Sequence, residues 1–149
     1  MKRIANINTD ISVYDIEDAY NKVFTVRWWE RLFGIVAFRF ADALYKPVDI
    51  DKLQEVLEED LTDQMVYTVD ENGTPLEWFD CDNFTFALGG ALNRNYETAA
   101  MPIFLTYVST IQHALWTFYL DGEIFAIEPQ TDEIYWIPPG EWKLSLVAG

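Results

Sequence analysis

The sequence predicts an α+β domain, with N-terminal helices packed on a small C-terminal antiparallel sheet. Two observations carry that expectation. Apolar residues recur at three- and four-residue steps through the first sixty positions, and short aromatic, β-branched segments separated by turn chemistry fill the last fifty. A third observation bounds the size: 149 residues, half of them hydrophobic and 16% aromatic, supply one core without a disulfide or metal staple. The expected organisation is one domain over 1–149, with a helical part at 14–62, a further helix at 79–92 and the sheet at 103–148.

From Tyr14 to Tyr45 the helical period runs through Ile16, Tyr20, Val23, Phe24, Trp28, Leu32, Ile35, Phe40 and Leu44, with Gly34 as a possible break and Pro47 as the stop. Asp49 or Asp51 then offers an N-cap, and Glu55 a capping-box partner, for an acidic amphipathic helix bearing Leu53, Val56, Leu57 and Leu61. Gln64 to Val69 has strand composition, and residues 70–75 form a turn cluster. Phe79 to Leu88 reads as a loop opening into a helix capped by Asp80, with Phe84, Leu88, Ala91 and Leu92 on one face. Strands are expected at 103–109, 113–120, 123–128, 134–137 and 143–147. Asp121-Gly122 is the hairpin turn between the second and third of them.

Twenty-five acids against ten bases give a formal net charge of −15. Such a surface repels phosphate backbones and anionic membranes, so no direct nucleic-acid or membrane partner is expected. The acids at 49–63 read most simply as a solvated helix face, although dense acid also suits mimicry of nucleic-acid phosphates. Residues 1–8 lack the apolar run of a secretory signal, and Leu32–Phe40 is too short to span a bilayer. The expected location is therefore cytoplasmic.

Cys81 is the only cysteine and His113 the only histidine, which excludes an internal disulfide and a zinc site of paired Cys and His ligands. Unpaired N–H groups at a helix start favour a thiolate at Cys81, while Asp82 and Asp80 oppose it, so a nucleophilic Cys81 needs an imidazolium nearby. The Asp121-Gly122 turn sets a register in which paired positions sum to 243. His113 then faces Gln130, and Glu128 lies one alternation nearer the turn on the same strand face. Cys81, His113 and Glu128 thus form a candidate nucleophile, base and orienting acid. Gln130 is a reserve orienter, and Gln64 and Trp78 are candidate oxyanion donors beside the Cys81 N–H.

Three blocks, Asp80-Cys81-Asp82-Asn83-Phe84, His113-Ala114 and Ile127-Glu128-Pro129, resemble those of bacterial transglutaminase-like cysteine proteinases and the wider papain-like superfamily. Phe79 stands where that family usually has glycine, and Glu128 where it usually has aspartate. The resemblance implies a papain-like core and a thiol-dependent amide or isopeptide hydrolase or acyltransferase, with no metal or organic cofactor and a peptide or protein substrate, a basic one favoured by charge. Two other readings stand beside it: an acidic interaction protein that mimics DNA, and an inactive relative built into an assembly. For Cys81 the bland alternative is a small buried hydrophobe, and for His113 a satisfied sheet residue.

Overall fold

A computed structural model describes residues 10–65, 70–74 and 81–149. In chain order these form β1 (Ile11–Ser12), α1 (Val13–Val23), α2 (Trp28–Leu32), β2 (Ala37–Arg39), β3 (Leu44–Tyr45), α3 (Ile50–Glu59), a 3₁₀ turn (Thr62–Gln64), α4 (Cys81–Arg94) and α5 (Tyr96–Ala99). The sheet-forming strands β4 (Ile103–Val108), β5 (His113–Leu120), β6 (Glu123–Glu128), β7 (Glu133–Trp136) and β8 (Leu144–Ala148) follow. Of the strand expected from Gln64 to Val69, Gln64 ends the 3₁₀ turn and Met65 caps it, while residues 66–69, like the Asp80 cap, lie outside the described residues.

The organising element is a six-stranded mixed sheet in the order β2-β8-β4-β5-β6-β7. This corrects the expectation of N-terminal helices laid on a small C-terminal antiparallel sheet with a papain-like core. The sheet draws a strand from the first third of the chain, and β2 pairs parallel to β8 through Ala37↔Leu146 and Arg39↔Ala148. The helical period read from Tyr14 to Tyr45 breaks after Val23. Thr25 takes φ +49° and Gly34 φ +71°, left-handed conformations that stop a helix on either side of the short α2. Beyond Gly34 the pattern Val36, Phe38, Phe40 has the two-residue period of a strand, with Val36 and Phe38 buried. Three- and two-residue spacings overlap in so apolar a stretch, and tertiary pairing with β8 decides between them.

Other local signals act as written. Asp49 caps α3 by accepting from the Lys52 N–H at 3.1 Å, whereas Glu55 pairs with the Lys52 ammonium at 3.0 Å instead of closing a capping box. Asp121 and Gly122 both take positive φ, the twist a two-residue hairpin turn requires. The resulting ladder runs Leu120↔Glu123 to Trp116↔Ile127.

Alternation along β5 gives each face of the sheet its own layer. Leu115 joins Ile16, Tyr20, Phe24, Phe38 and Phe104 beneath α1. On this side a buried hydroxyl chain threads the apolar layer, from Tyr20 to Thr117 at 2.5 Å and on to Thr106 at 2.6 Å. Burial raises the Tyr20 phenol far above its ordinary value, and the threonine bonds offset only part of that. Trp116 and Phe118 join Leu53, Leu57, Leu88 and Leu92 of α3 and α4 on the other side.

α4 is held on that second face by a compact set of contacts. The Thr85 hydroxyl donates to the Ala114 carbonyl at 2.9 Å, the Trp116 indole N–H donates to the Thr85 carbonyl at 2.7 Å, and Gly89 lies against the indole ring. A Cβ on Gly89 would stand 2.5 Å from Trp116 Cζ2. Gly89→Ala is therefore expected to destabilise the fold by about 1–3 kcal/mol, read as a lower urea midpoint. Gly90→Ala, whose added carbon meets only the flexible end of Arg94, is expected to be neutral or slightly stabilising.

Candidate functional site

The first turn of α4 and the first residues of β5 meet at one end of the sheet, and three of the residues singled out from the sequence lie there. Cys81 is the first residue of α4 and is half-buried; its carbonyl accepts from the Thr85 hydroxyl at 2.7 Å. That same hydroxyl reaches the carbonyl of Ala114, the neighbour of His113, so one side chain ties the Cys81 turn to the His113 end of β5. The Cys81 thiol donates to Asp82 Oδ1 at 3.6 Å.

His113 Nε2 and Glu128 Oε2 stand 2.6 Å apart, both side chains about one-fifth exposed. Their meeting follows from strand register, since the hairpin brings the start of β5 beside the end of β6. Alternation sets His113 with Leu115 and Thr117 on the α1 side of the sheet, whereas Cys81 belongs to the helix on the opposite side. Gln130 does not face His113 across a ladder: β6 ends at Glu128 and Gln130 lies in the turn beyond it, its N–H donating to Glu128 Oε1 at 3.3 Å. Glu128 therefore accepts from both sides. Gln64, exposed at the end of the 3₁₀ turn, lines a groove of about 490 Å³ with Asp60, Asp63 and Asp132. Trp78 lies outside the described residues.

The charge of Glu128 is felt across the strand. Tyr135 is pushed up to about 12, first by burial and then by the Glu128 and Glu133 carboxylates. Asp132 sits in left-handed backbone at φ +57°, with one buried carboxylate oxygen that has no hydrogen-bond donor among the described residues. Burial, aided by Asp63 and Asp60, lifts it to about 6.

Sequence reading missed the feature between α4 and the sheet. A cleft of about 250 Å³ is lined by Phe86, Leu105, Tyr107, Ala114 and Leu146, with Asp82, Thr85 and Ser145 as its polar members. Phe86 is 64% exposed at its mouth, a large apolar side chain turned outward from an otherwise amphipathic helix. That exposed phenylalanine was the available signal; the convergence of β4, β5 and β8 beneath it was not readable from spacing. Among the described residues no group of three or more His, Cys, Asp or Glu is arranged to hold a metal ion. No helix among them is long and apolar enough to cross a membrane.

No protein-family model matches the sequence, and no curated protein matches it. Similar solved structures exist. A complex of PSL1a with E64 superposes with a TM-score of 0.67 at 13% identity, covering 94% of this chain and 51% of that one. Polyporus squamosus lectin, bound to the human-type influenza-binding epitope Neu5Acα2-6Galβ1-4GlcNAc, superposes with a TM-score of 0.65 at 14% identity, covering 94% and 49%. The chain thus spans about half the length of each, and the likeness is one of fold.

These findings correct the family expectation. The frame is shared with a lectin structure, and no proteinase family model matches, so the three short blocks do not place this chain among transglutaminase-like or papain-like cysteine proteinases. With that assignment goes the reading as a thiol-dependent amide hydrolase or acyltransferase with a catalytic triad. Of the acids on and around α3, Asp49 serves as the cap and Glu55 and Glu97 pair with Lys52.

Asp132 yields a test of the electrostatics at this end of the sheet. A carboxylate raised on folding holds its proton more tightly in the native state, so stability falls as pH rises from about 4 through about 6, and the deficit persists at neutral pH. Asp132→Asn, which tolerates left-handed backbone, is expected to raise the melting temperature at pH 7–8 by about 1–3 °C and to leave it nearly unchanged at about pH 3. Paired melting curves across that range check it.

Proposed function

We propose that this chain is a ligand-binding domain whose ligand is a peptide or protein segment, seated in the cleft between α4 and strands β8, β4 and β5. The apolar character of that cleft carries the reading. Phe86, Leu105, Tyr107, Ala114 and Leu146 surround a space the size of one large side chain, with few polar groups to satisfy the hydroxyls of a sugar ring. An extended peptide meets such a site by inserting one apolar side chain and leaving its backbone to polar groups at the rim.

Asp82 and Ser145 supply rim groups along the cleft. Cys81, at the start of α4, stands beside Asp82 at one end of the cleft, whereas the His113–Glu128 pair with Gln130 belongs to the α1 side of the sheet and Gln64 to the separate acidic groove, and these last four have no contact with the ligand in this reading. The net charge of −15 steers a basic segment to the site more readily than an acidic one.

A phage-displayed peptide library selected on the purified protein, run beside a glycan array that includes α2-6-sialylated lactosamine, tests the proposal. Enriched peptides are expected to share one large apolar residue flanked by Lys or Arg. Phe86→Asp, at an exposed position, is expected to weaken them at least about tenfold. Bound peptide is also expected to slow iodoacetamide alkylation of Cys81. Peptides that bind Phe86→Asp as well as the unaltered protein, or ligands found only on the glycan array, would overturn it.

A further inference from the structure

The turn between β6 and β7 faces the segment that follows α3 across a groove of about 490 Å³, walled by Leu57 on one side and Ile134 on the other. Four carboxyl groups line it. Glu58 comes from α3, Asp60 and Asp63 from the segment around the 3₁₀ turn, and Asp132 from the turn between the strands. Glu128 and Glu133, the ladder pair on either side of that turn, add charge of the same sign. No base lines the groove among the described residues. Of the bases on the adjoining helices, Lys52 is engaged by Glu55 and Glu97, and Arg94 lines a neighbouring groove that shares Asp60 and also holds Glu59.

Asp132 is the member of this set with least freedom to escape. Its Oδ1 is buried with no hydrogen-bond partner, and its N–H donates to the Glu128 carbonyl at 2.8 Å, so the carboxyl reaches water only if the turn itself moves. Burying an ionised oxygen without a donor costs more than burying a neutral one. Burial and the facing Asp63 and Asp60 carboxylates accordingly lift this acid to about 6. Opposing them is the apolar layer in which Leu57 is buried and against which Ile134 packs.

The same turn grips Glu128. The Thr131 N–H also donates to the Glu128 carbonyl, at 3.2 Å, and the Gln130 N–H donates to Glu128 Oε1 at 3.3 Å, while Oε2 meets His113. A movement of the turn is therefore felt at the His113–Glu128 pair.

We propose that Asp132 is a proton-operated latch between the β6–β7 turn and the Asp60–Gln64 segment. With the proton in place the two stay packed. When it leaves, repulsion among Asp132, Asp63 and Asp60 parts them, and the turn loosens its hold on Glu128. The sign follows from linkage: the packed form holds the proton more tightly than the open one, so opening is suppressed in acid and grows as pH rises. A carboxyl at about 6 when packed and at its ordinary 3.8 when open implies roughly a tenfold rise in the open population from about pH 5 to about pH 7.5. The groove is separate from the α4 cleft, and the latch stands apart from the peptide-binding reading.

Two NMR measurements on the whole chain test it: titration of the Asp132 carboxyl carbon, and amide hydrogen exchange corrected for base catalysis of exchange itself. The carboxyl is expected to titrate at about 6. Opening at the hydrogen-bonded amides of Thr131, Asp132, Gln64 and Met65 is expected to rise about tenfold over that pH range and to be unmoved by dilute urea, as a local opening is. Asp132→Asn is expected to abolish the rise. Asp63→Asn, at an exposed position, is expected to keep it with a lower midpoint, which serves as the second variant should Asp132→Asn alter the fold. A midpoint for Asp132 at about 4, the ordinary carboxylate value, would overturn the latch. So would a rise that persists in Asp132→Asn, which would assign the titration to the His113–Glu128 pair, or a rise carried entirely by urea-sensitive global unfolding.

Discussion

Everything proposed for the α4 side of this molecule depends on how one helix is seated on one strand. Thr85 and Trp116 do it reciprocally: the threonine hydroxyl satisfies a β5 carbonyl while the indole N–H satisfies the carbonyl of that same threonine. Both bonds are buried, where an unpaired polar group would cost about 1–3 kcal/mol, so sliding α4 along the sheet would strand several groups at once. Gly89 makes the close approach possible. The seating fixes where Cys81 begins the helix, where Asp82 and Phe86 project, and how wide a cleft remains over β4 and β8.

The opposite face is held differently. There the Tyr20–Thr117–Thr106 hydroxyl chain pins α1 within a layer of aromatic rings, among them Tyr20 against Phe24 and Phe40 against Phe104. One β5 residue, Thr117, is therefore polar and buried because it serves α1, while its neighbour Trp116 serves α4. The strand works as a shared spine, and its alternation keeps the two layers independent. His113 and Glu128 pair at the end of this spine, where the strand leaves the core and polar groups become affordable.

What the sequence disclosed follows the range of the interactions. The Asp121-Gly122 turn, the β5–β6 register and the juxtaposition of His113 with Glu128 depend on neighbours within fifteen residues, and all were legible. Asp49 as a cap was legible for the same reason. The segment from Ile35 to Phe40 was not, because its apolar residues satisfy two periods and its strand character is conferred by a partner over a hundred positions away. The cleft was hidden likewise, assembled from α4, β4, β5 and β8 with no local signature beyond the outward Phe86. The Cys81, His113 and Glu128 blocks were visible as residues, but a family identity needs more than three short matches, and the shared frame with a lectin structure shows how far short blocks can mislead.

The pairing of β2 with β8 also shapes how the chain reaches its native state. β8 lies between β2 and β4, so the last strand to form in sequence order completes the middle of one half of the sheet. Until it arrives, β4 exposes an unpaired edge rich in Ile, Phe, Leu and Val, and Phe38 has no strand to carry it into the core. Such long-range closure costs loop entropy before its contacts are gained, which slows folding. The heavy surplus of carboxylates then acquires a use in the unfolded and half-folded chain, where mutual repulsion keeps those edges from finding one another.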